Sequence, residues 1–327
     1  MKHKFLDLGR QPIANGFLKE EQIADEYMYN LRVAFDDETG LVSLVEQPDA
    51  GLMFNDSYPY RTSGSKTMRN HFHSTATKLK REYNPKSVLE IGSNDGAFLQ
   101  HWDREIAIGI EPCLNMAQKT HDAGYFTFAQ FWNTTSEQYI LDKFGQQDLI
   151  YAANCLCHIP DLDEAFQCIA GVLDINGVFV FEDPSIVSML EYGSYDQIYD
   201  EHAHIFSITA LQKVLERNAL SIFHVEQMPH IHGGSNRLYV TSSYSSAHGP
   251  VKSVQVALDM EASMELDKLK TYEAFSQRVG RSREDLIRLV REANEEGPVV
   301  SYGATSKSTT IFNYCGFGPE DIAFIVD

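Results

Sequence analysis

The chain has 327 residues, 43% of them apolar and 22% charged. That composition excludes wholesale disorder, and the length predicts more than one domain. Lys and Arg number 27 against 46 Asp and Glu, a formal charge of −19; so acidic a surface repels phosphate backbones, and no nucleic-acid partner is expected. No apolar run approaches the roughly 20 residues that span a bilayer. The opening MKHKFLDLGRQP has no sustained apolar stretch behind its basic residues, so it reads as mature protein and not as a signal peptide. The expectation is a cytoplasmic protein with no membrane partner and an unassigned oligomeric state. The cysteines Cys113, Cys155, Cys157, Cys168 and Cys315 are odd in number and form no CxxC pair, which argues against a disulfide framework and against structural zinc.

In chain order, the first 65 or so residues hold short apolar runs broken by GRQP, DDETG and EQPDAG, predicting a small irregular domain with a few strands. RTSGS at 61–65 reads as a hinge, and Met68 to Tyr83 as a helix. From Ser87 the stretches SVLEIG, IAIGIE, DLIYAAN and GVFVFED are separated by helical lengths, the alternation of a parallel sheet covered by helices. A helix over Ile208 to Arg217 precedes two more strands, SIFHVEQM and RLYVTSS. Val251 to Glu296 is helical, with Leu286, Leu289, Val290 and Ala293 predicted as one buried face. PVVSYGA, TSKSTTIFNYCG and AFIVD then read as strand, helix and strand. Such a unit, ending on its second strand, is expected to be half of a further α/β domain, as if truncated. The predicted domains are 1–66, 67–248 and 249–327.

The sharpest motif is Val88-Leu89-Glu90-Ile91-Gly92-Ser93-Asn94-Asp95-Gly96, a buried strand running into a glycine-rich turn and a helix. Glycines admit a ligand close to the backbone, and a helix start offers free N–H groups. Glu111 ends the next strand 19 residues after Gly92, near the spacing of a carboxylate that grips ribose hydroxyls. The GxGxxG of dinucleotide sites is missing, so nothing cradles a pyrophosphate. Glu90 suits a cationic ligand. Together these features give the class I methyltransferase pattern, a Rossmann-like, doubly wound α/β sheet with S-adenosylmethionine as cofactor. Glu90, Gly92, Ser93, Asn94, Gly96, Glu111 and Asn154 are its expected lining. Gly233-Gly234-Ser235-Asn236-Arg237 precedes a strand; Arg237, with Asn236, is a candidate for a ligand phosphate, a structural ion pair being the competing reading. Lys307, beside a helix start, is a candidate for a diphosphate. The Cys155 and Cys157 pair reads as core packing.

Beyond the loop, the sequence resembles the sugar C-methyltransferases that act on nucleotide-linked 4-keto-deoxysugars, and the resemblance spans nearly the whole chain. FLDLGRQPIANGFL resembles that family's amino-terminal domain. SYPYRTSGS resembles its Tyr-x-Tyr-x-Ser segment, with Thr62 in place of the Ser. Tyr199-Asp200-Glu201-His202, followed by IFS, resembles its catalytic Tyr-x-Glu-His. GGSNRLY and YGATSKSTTIFNYCG resemble later signatures. The resemblance implies an amino-terminal domain of the zinc-binding type, yet Asp36 and Thr39 stand where the second CxxC falls and the first is absent, so no metal is expected. It also implies a small amino-terminal domain and a partial carboxy-terminal α/β domain around the methyltransferase sheet, with a nucleotide-sugar substrate.

Making a carbon–carbon bond beside a keto group requires a base that takes the carbon 3 proton and groups that stabilise the enolate. His202 has a suitable ordinary pKa. The resemblance implies it as base, with Glu201 tuning it and Tyr199, His158 and Tyr60 around the sugar. His204 and His230 read as ordinary hydrogen-bonded histidines. Two readings stay open beside carbon 3 methylation: an O- or N-methyltransferase of the same fold, and a non-catalytic cofactor-binding remnant.

Overall fold

The computed structural model describes residues 1–327. In chain order it begins with strands β1 (Lys2–Pro12), β2 (Met28–Asp36) and β3 (Val42–Leu44), then helices α1 (Ala50–Met53) and α2 (Lys66–Tyr83). Strands β4 (Val88–Ile91) and β5 (Ala107–Ile110), helix α3 (Leu114–Asp122), strand β6 (Phe126–Phe128), helix α4 (Thr134–Phe144) and strand β7 (Gln147–Ala153) follow. Next come α5 (Leu162–Val172), β8 (Leu173–Pro184), α6 (Ile186–Tyr192), β9 (His204–Ile205), α7 (Ile208–Arg217), β10 (Leu220–Met228) and β11 (Ser235–Ser242). The chain closes with α8 (Lys252–Ser263), α9 (Leu269–Glu296), β12 (Val300–Tyr302), α10 (Ser306–Cys315) and β13 (Phe324–Val326). None of the helices is long and apolar enough to cross a membrane.

The chain divides into two units: residues 1–53, 184–207 and 260–327 form one, and residues 54–183 and 208–259 the other. This differs from the three consecutive domains expected with boundaries near 66 and 248. The reason is strand pairing. After β8 the chain leaves the parallel sheet, and β9 pairs antiparallel with β3 to complete a sheet of order β1-β2-β3-β9. Ser185 also bridges Phe206.

The second unit is built on a seven-stranded sheet of order β10-β11-β8-β7-β4-β5-β6, in which β4 pairs parallel with β5 and β7, β5 with β6, and β7 with β8. Period-two alternation sorts its side chains onto two faces. Val88, Leu149, Tyr151, Val178 and Val180 share a core with Phe72, Ala76 and Leu79 of α2. On the other face Phe179 and Phe181 meet Phe166 of α5. The expected doubly wound α/β sheet is therefore present. Its strands fall where periodicity put them, and 66–83 is a helix with Ser65 as its N-cap, the side chain accepting from Met68 N–H. The helix expected directly after the glycine-rich turn is not formed: only a 3-10 turn, Leu99–His101, lies between β4 and β5.

The first unit buries Phe5, Leu31, Val33, Phe35, Ile198, Tyr272, Phe275 and Val279 in a common core. Tyr272 stacks on Phe35 with centroids 4.6 Å apart. Three expectations need correction. GRQP is not a turn but part of β1, where Gly9 at φ +76° sits in the register shift between Asp7 and Arg10, a bulge only glycine enters cheaply. The α9 face named from Leu286, Leu289, Val290 and Ala293 is mostly solvated, with Leu289 and Ala293 exposed. The helix instead buries Tyr272, Phe275 and Val279 in its first half, where β1 and β2 lie against it, and Val290 beyond. RTSGS is no hinge: it is tied by hydrogen bonds described below. In the carboxy-terminal part, β12 and β13 pair in parallel as the strand–helix–strand reading required.

Candidate active site

The glycine-rich turn leaves β4 at its carboxyl end, where open parallel sheets bind ligands. Gly92 has φ +72°, and a Cβ there would lie 2.7 Å from Cys155 Sγ, so no other residue fits without moving the β7 exit. Asn94 follows in the left-handed region at φ 47°. Its N–H donates to Glu111 Oε2 at 2.7 Å, and Cys113 N–H donates to Glu111 Oε1 at 2.8 Å. Glu111 thus ends β5 with its carboxylate held by the two turns beside it. Burial raises its pKa against those bonds. Glu90 is more extreme: burial first, then the charge of Glu111, raises it well above the ordinary carboxylate value. Glu90 Oε2 and Ser93 Oγ are buried without a hydrogen-bond partner.

S-adenosylmethionine fits this donor and acceptor set. The ligand would bring hydroxyls, an ammonium and a sulfonium, and it carries no phosphate. The turn offers two carboxylates in low dielectric, one with an orphaned oxygen, and a backbone kept open by glycine. Gly92, Ser93, Asn94, Gly96, Glu90 and Glu111 are brought together here.

The segment 58–65 docks onto the same turn. Thr62 N–H donates to Asn94 Oδ1 at 2.9 Å, Asn94 Nδ2 to Tyr60 O at 3.2 Å, and Asn115 Nδ2 to Tyr58 O at 2.9 Å. Ser63 binds Asp95 through its N–H and, at 2.5 Å, its hydroxyl. Tyr60 is exposed and Tyr58 buried, so Tyr58 fills the packing role. Asn154, left-handed at φ 49°, closes β7 with its N–H on Glu182 O at 2.7 Å. A single 3-10 turn, Leu156–His158, follows. His158 stacks on Phe54 at 5.3 Å, and burial pushes its imidazole down to about 3; at neutral pH it is an uncharged hydrogen-bonding ring.

Sequence reasoning missed Asp183, at the end of β8. It is buried, Oδ1 accepts from Cys157 N–H at 3.4 Å, Oδ2 has no partner, and burial pushes its carboxyl up to about 7. The signal was available: an acid closing an apolar parallel strand beside Pro184.

The Tyr199–His202 segment belongs to the other unit. His202 is buried, with Nδ1 2.7 Å from Gln197 O. A carbonyl only accepts, so Nδ1 carries the proton and the neutral ring's basic lone pair is on Nε2. The Tyr199 and His202 rings are 4.3 Å apart. Ala14 N–H donates to Asp200 Oδ1 at 3.0 Å and Asn15 Nδ2 to Glu201 Oε1 at 2.5 Å; Thr310 Oγ1 donates to Ile198 O at 3.0 Å. Burial raises Asp200 to about 6. His204 bonds Ser43 Oγ through Nδ1 at 2.8 Å, the ordinary role expected of it. Lys307 lies half-buried in the first turn of α10, where burial lowers its pKa against the pull of Asp196.

Arg237 corrects the sequence reading. It is buried within the sheet unit: Nε donates to Glu182 Oε1 at 2.7 Å, Nη1 to Glu226 Oε2 at 2.9 Å and Nη2 to Thr75 Oγ1 at 2.5 Å. Glu182 also accepts from Tyr151 OH at 2.8 Å and meets His71 Nε2 at 2.6 Å. Burial opposes its ionisation, but His71, Arg237 and Tyr151 outweigh burial and hold its pKa below the ordinary value. Arg237 is therefore the structural ion pair of the competing reading, not a ligand fork. Asn236 is likewise buried inside β11, opposite Gln227.

Comparison with known proteins gives three family matches: a zinc-binding domain at 1–54, a methyltransferase domain at 66–225 and a C-methyltransferase C-terminal domain at 230–327. The C-methyltransferase NovU of Streptomyces niveus is 27% identical over 329 aligned residues, 98% of this chain and 78% of that protein. Among solved structures, an S-adenosylmethionine-dependent methyltransferase from Clostridium acetobutylicum is similar at 12% identity and TM-score 0.42, covering 53% of this chain and 92% of its own. The magnesium protoporphyrin IX methyltransferase of Synechocystis, with bound SAH, matches at 15% identity and TM-score 0.41, covering 54% and 83%.

Zinc does not fit residues 1–54. They contain no cysteine and one histidine, His3, whose Nε2 is bonded to Asp37 Oδ2 at 2.8 Å. The turn at Asp36–Gly40 closes itself, with Gly40 N–H on Asp36 O at 2.7 Å, Glu38 N–H on Asp36 Oδ1 at 3.0 Å and Leu41 N–H on Thr39 Oγ1 at 3.2 Å. A tetrahedral site needs thiolate or imidazole donors that this domain lacks.

Proposed function

Because this chain belongs to the S-adenosylmethionine-dependent C-methyltransferase family, we propose that it methylates carbon 3 of a nucleotide-linked 4-keto-deoxysugar through an enolate. The cofactor, when bound, supplies an electrophilic methyl group on a cationic sulfur. Glu111 is positioned at a strand end to accept from ribose hydroxyls, and Glu90 to compensate cationic charge. His202 Nε2 takes the proton from carbon 3, and the C–H electron pair passes into the enolate, whose carbon then forms the new bond. Glu201 steadies the imidazolium that results. Tyr199, Tyr60 and the uncharged His158 are the polar groups assigned to the enolate and sugar, and Lys307 to the diphosphate.

The observation that carries this reading is the His202 Nδ1 contact to Gln197 O at 2.7 Å. It fixes the tautomer that leaves the basic nitrogen at Nε2. The test is incubation with methyl-deuterated S-adenosylmethionine and a panel of nucleotide-linked 4-keto-6-deoxysugars, followed by mass and NMR analysis. The reading expects a labelled methyl on carbon 3. A methyl on oxygen or nitrogen, or cofactor binding with every sugar unchanged, overturns it.

A further inference from the structure

Two consecutive residues beyond β1 grip two consecutive carboxylates of the base-bearing segment. Ala14 uses its main-chain N–H on Asp200 and Asn15 uses its side-chain amide on Glu201, at 3.0 and 2.5 Å. The segment is further pinned at Ile198 O by Thr310 and at Gln197 O by His202 itself. Both carboxylates are buried, whereas Asn15 is half-buried in a loop. We infer that Asn15 is a positioning residue for the carbon 3 base, acting through Glu201. The inference rests on the reading of His202 as that base.

The chemistry is directional. An amide Nδ2 can only donate, so it holds one oxygen of Glu201 and thereby sets the plane of the carboxylate next to His202. A hydrogen bond to a charged group is strong enough to matter for rate: losing it is expected to cost about 10- to 100-fold. The carboxylate isostere at position 15 would fill the same volume yet set two acceptors against each other. Packing and positioning therefore make opposite forecasts for one substitution.

The experiment measures deuterium exchange at carbon 3 and methyl transfer in the full chain, for wild type, Asn15→Ala, Asn15→Asp, Glu201→Gln and the double variant Asn15→Ala/Glu201→Gln, with melting temperatures alongside. Asn15→Ala and Asn15→Asp should each lose about 10- to 100-fold in exchange and in kcat, with KM for sugar and cofactor unchanged. In the Glu201→Gln background Asn15→Ala should add little, because its effect runs through the missing carboxylate. Full activity in Asn15→Asp, or an equal loss with and without the Glu201 carboxylate, overturns the inference while leaving the function intact. A wild-type chain that binds cofactor but neither exchanges nor methylates any sugar defeats the function itself. If Asn15→Ala does not fold, Asn15→Asp decides alone, since only positioning predicts loss of exchange in a folded isostere.

Discussion

The two units place their chemistry by different means. The glycine-rich turn proposed for the cofactor is local: from Gly92 to Glu111 it is one turn–strand stretch, with Asn94 N–H on Glu111 as its internal brace. The segment proposed to carry the base is non-local: residues 197–202 are held by Ala14, Asn15 and Thr310, contributed from opposite ends of the sequence. A local motif needs only its own residues to form. A composite one exists only when the unit around it has folded, so its rigidity depends on β1, β9 and α10 together.

The comparison predicts separable losses. The largest is at His202, the proposed base. His202→Asn should lower methyl transfer by about 10²–10⁴ while leaving S-adenosylmethionine affinity near wild type by calorimetry. Glu111→Ala should do the reverse in kind, weakening cofactor binding by about 1.5–3 kcal/mol and sparing cofactor-independent exchange at carbon 3. Should either variant lose both functions together while still folded, the two sites are not independent.

An effect read in stability should come from Asp183. Its native pKa, about 7, lies above the unfolded value of about 4. Its contribution to stability is therefore fully present below pH 4 and is lost as pH rises through 7. Asp183→Asn keeps the acceptor for Cys157 and removes the buried charge, so it should stabilise the protein by about 4 kcal/mol at pH 8 and by progressively less toward pH 4. Urea denaturation across that range checks the sign. The smallest effect concerns metal. Elemental analysis should find no zinc, and a chelator should leave the melting temperature unchanged; one tightly bound zinc per chain would mean that donors other than cysteine assemble in this domain.

Legibility followed the same divide. The α/β alternation and the glycine turn were readable because period and spacing are properties of adjacent residues: Val88 to Ile91 is a strand whether or not the remainder is known. The domain boundaries were not, since nothing around His204 announces that two residues will pair with Val42 and Ser43. The α9 face failed for a related reason. Leu289 and Ala293 have helical spacing, but spacing does not say which half of a long helix meets a partner. Arg237 was ambiguous in principle, because a guanidinium fork suits a phosphate and a buried carboxylate equally; only the placement of Glu182 and Glu226 decides. The Tyr199, Glu201 and His202 roles came from a resemblance, and the contacts that make those roles chemically sensible, Asn15 above all, had no sequence signal beyond the resemblance itself.

The central claim is that this chain makes a carbanion equivalent at carbon 3 with His202. The most direct measurement is solvent deuterium incorporation at carbon 3 of a nucleotide-linked 4-keto-6-deoxysugar, without cofactor, in wild type and His202→Asn. The account predicts exchange in wild type and a loss of about 10²–10⁴ in the variant. Exchange at the wild-type rate in folded His202→Asn would contradict it.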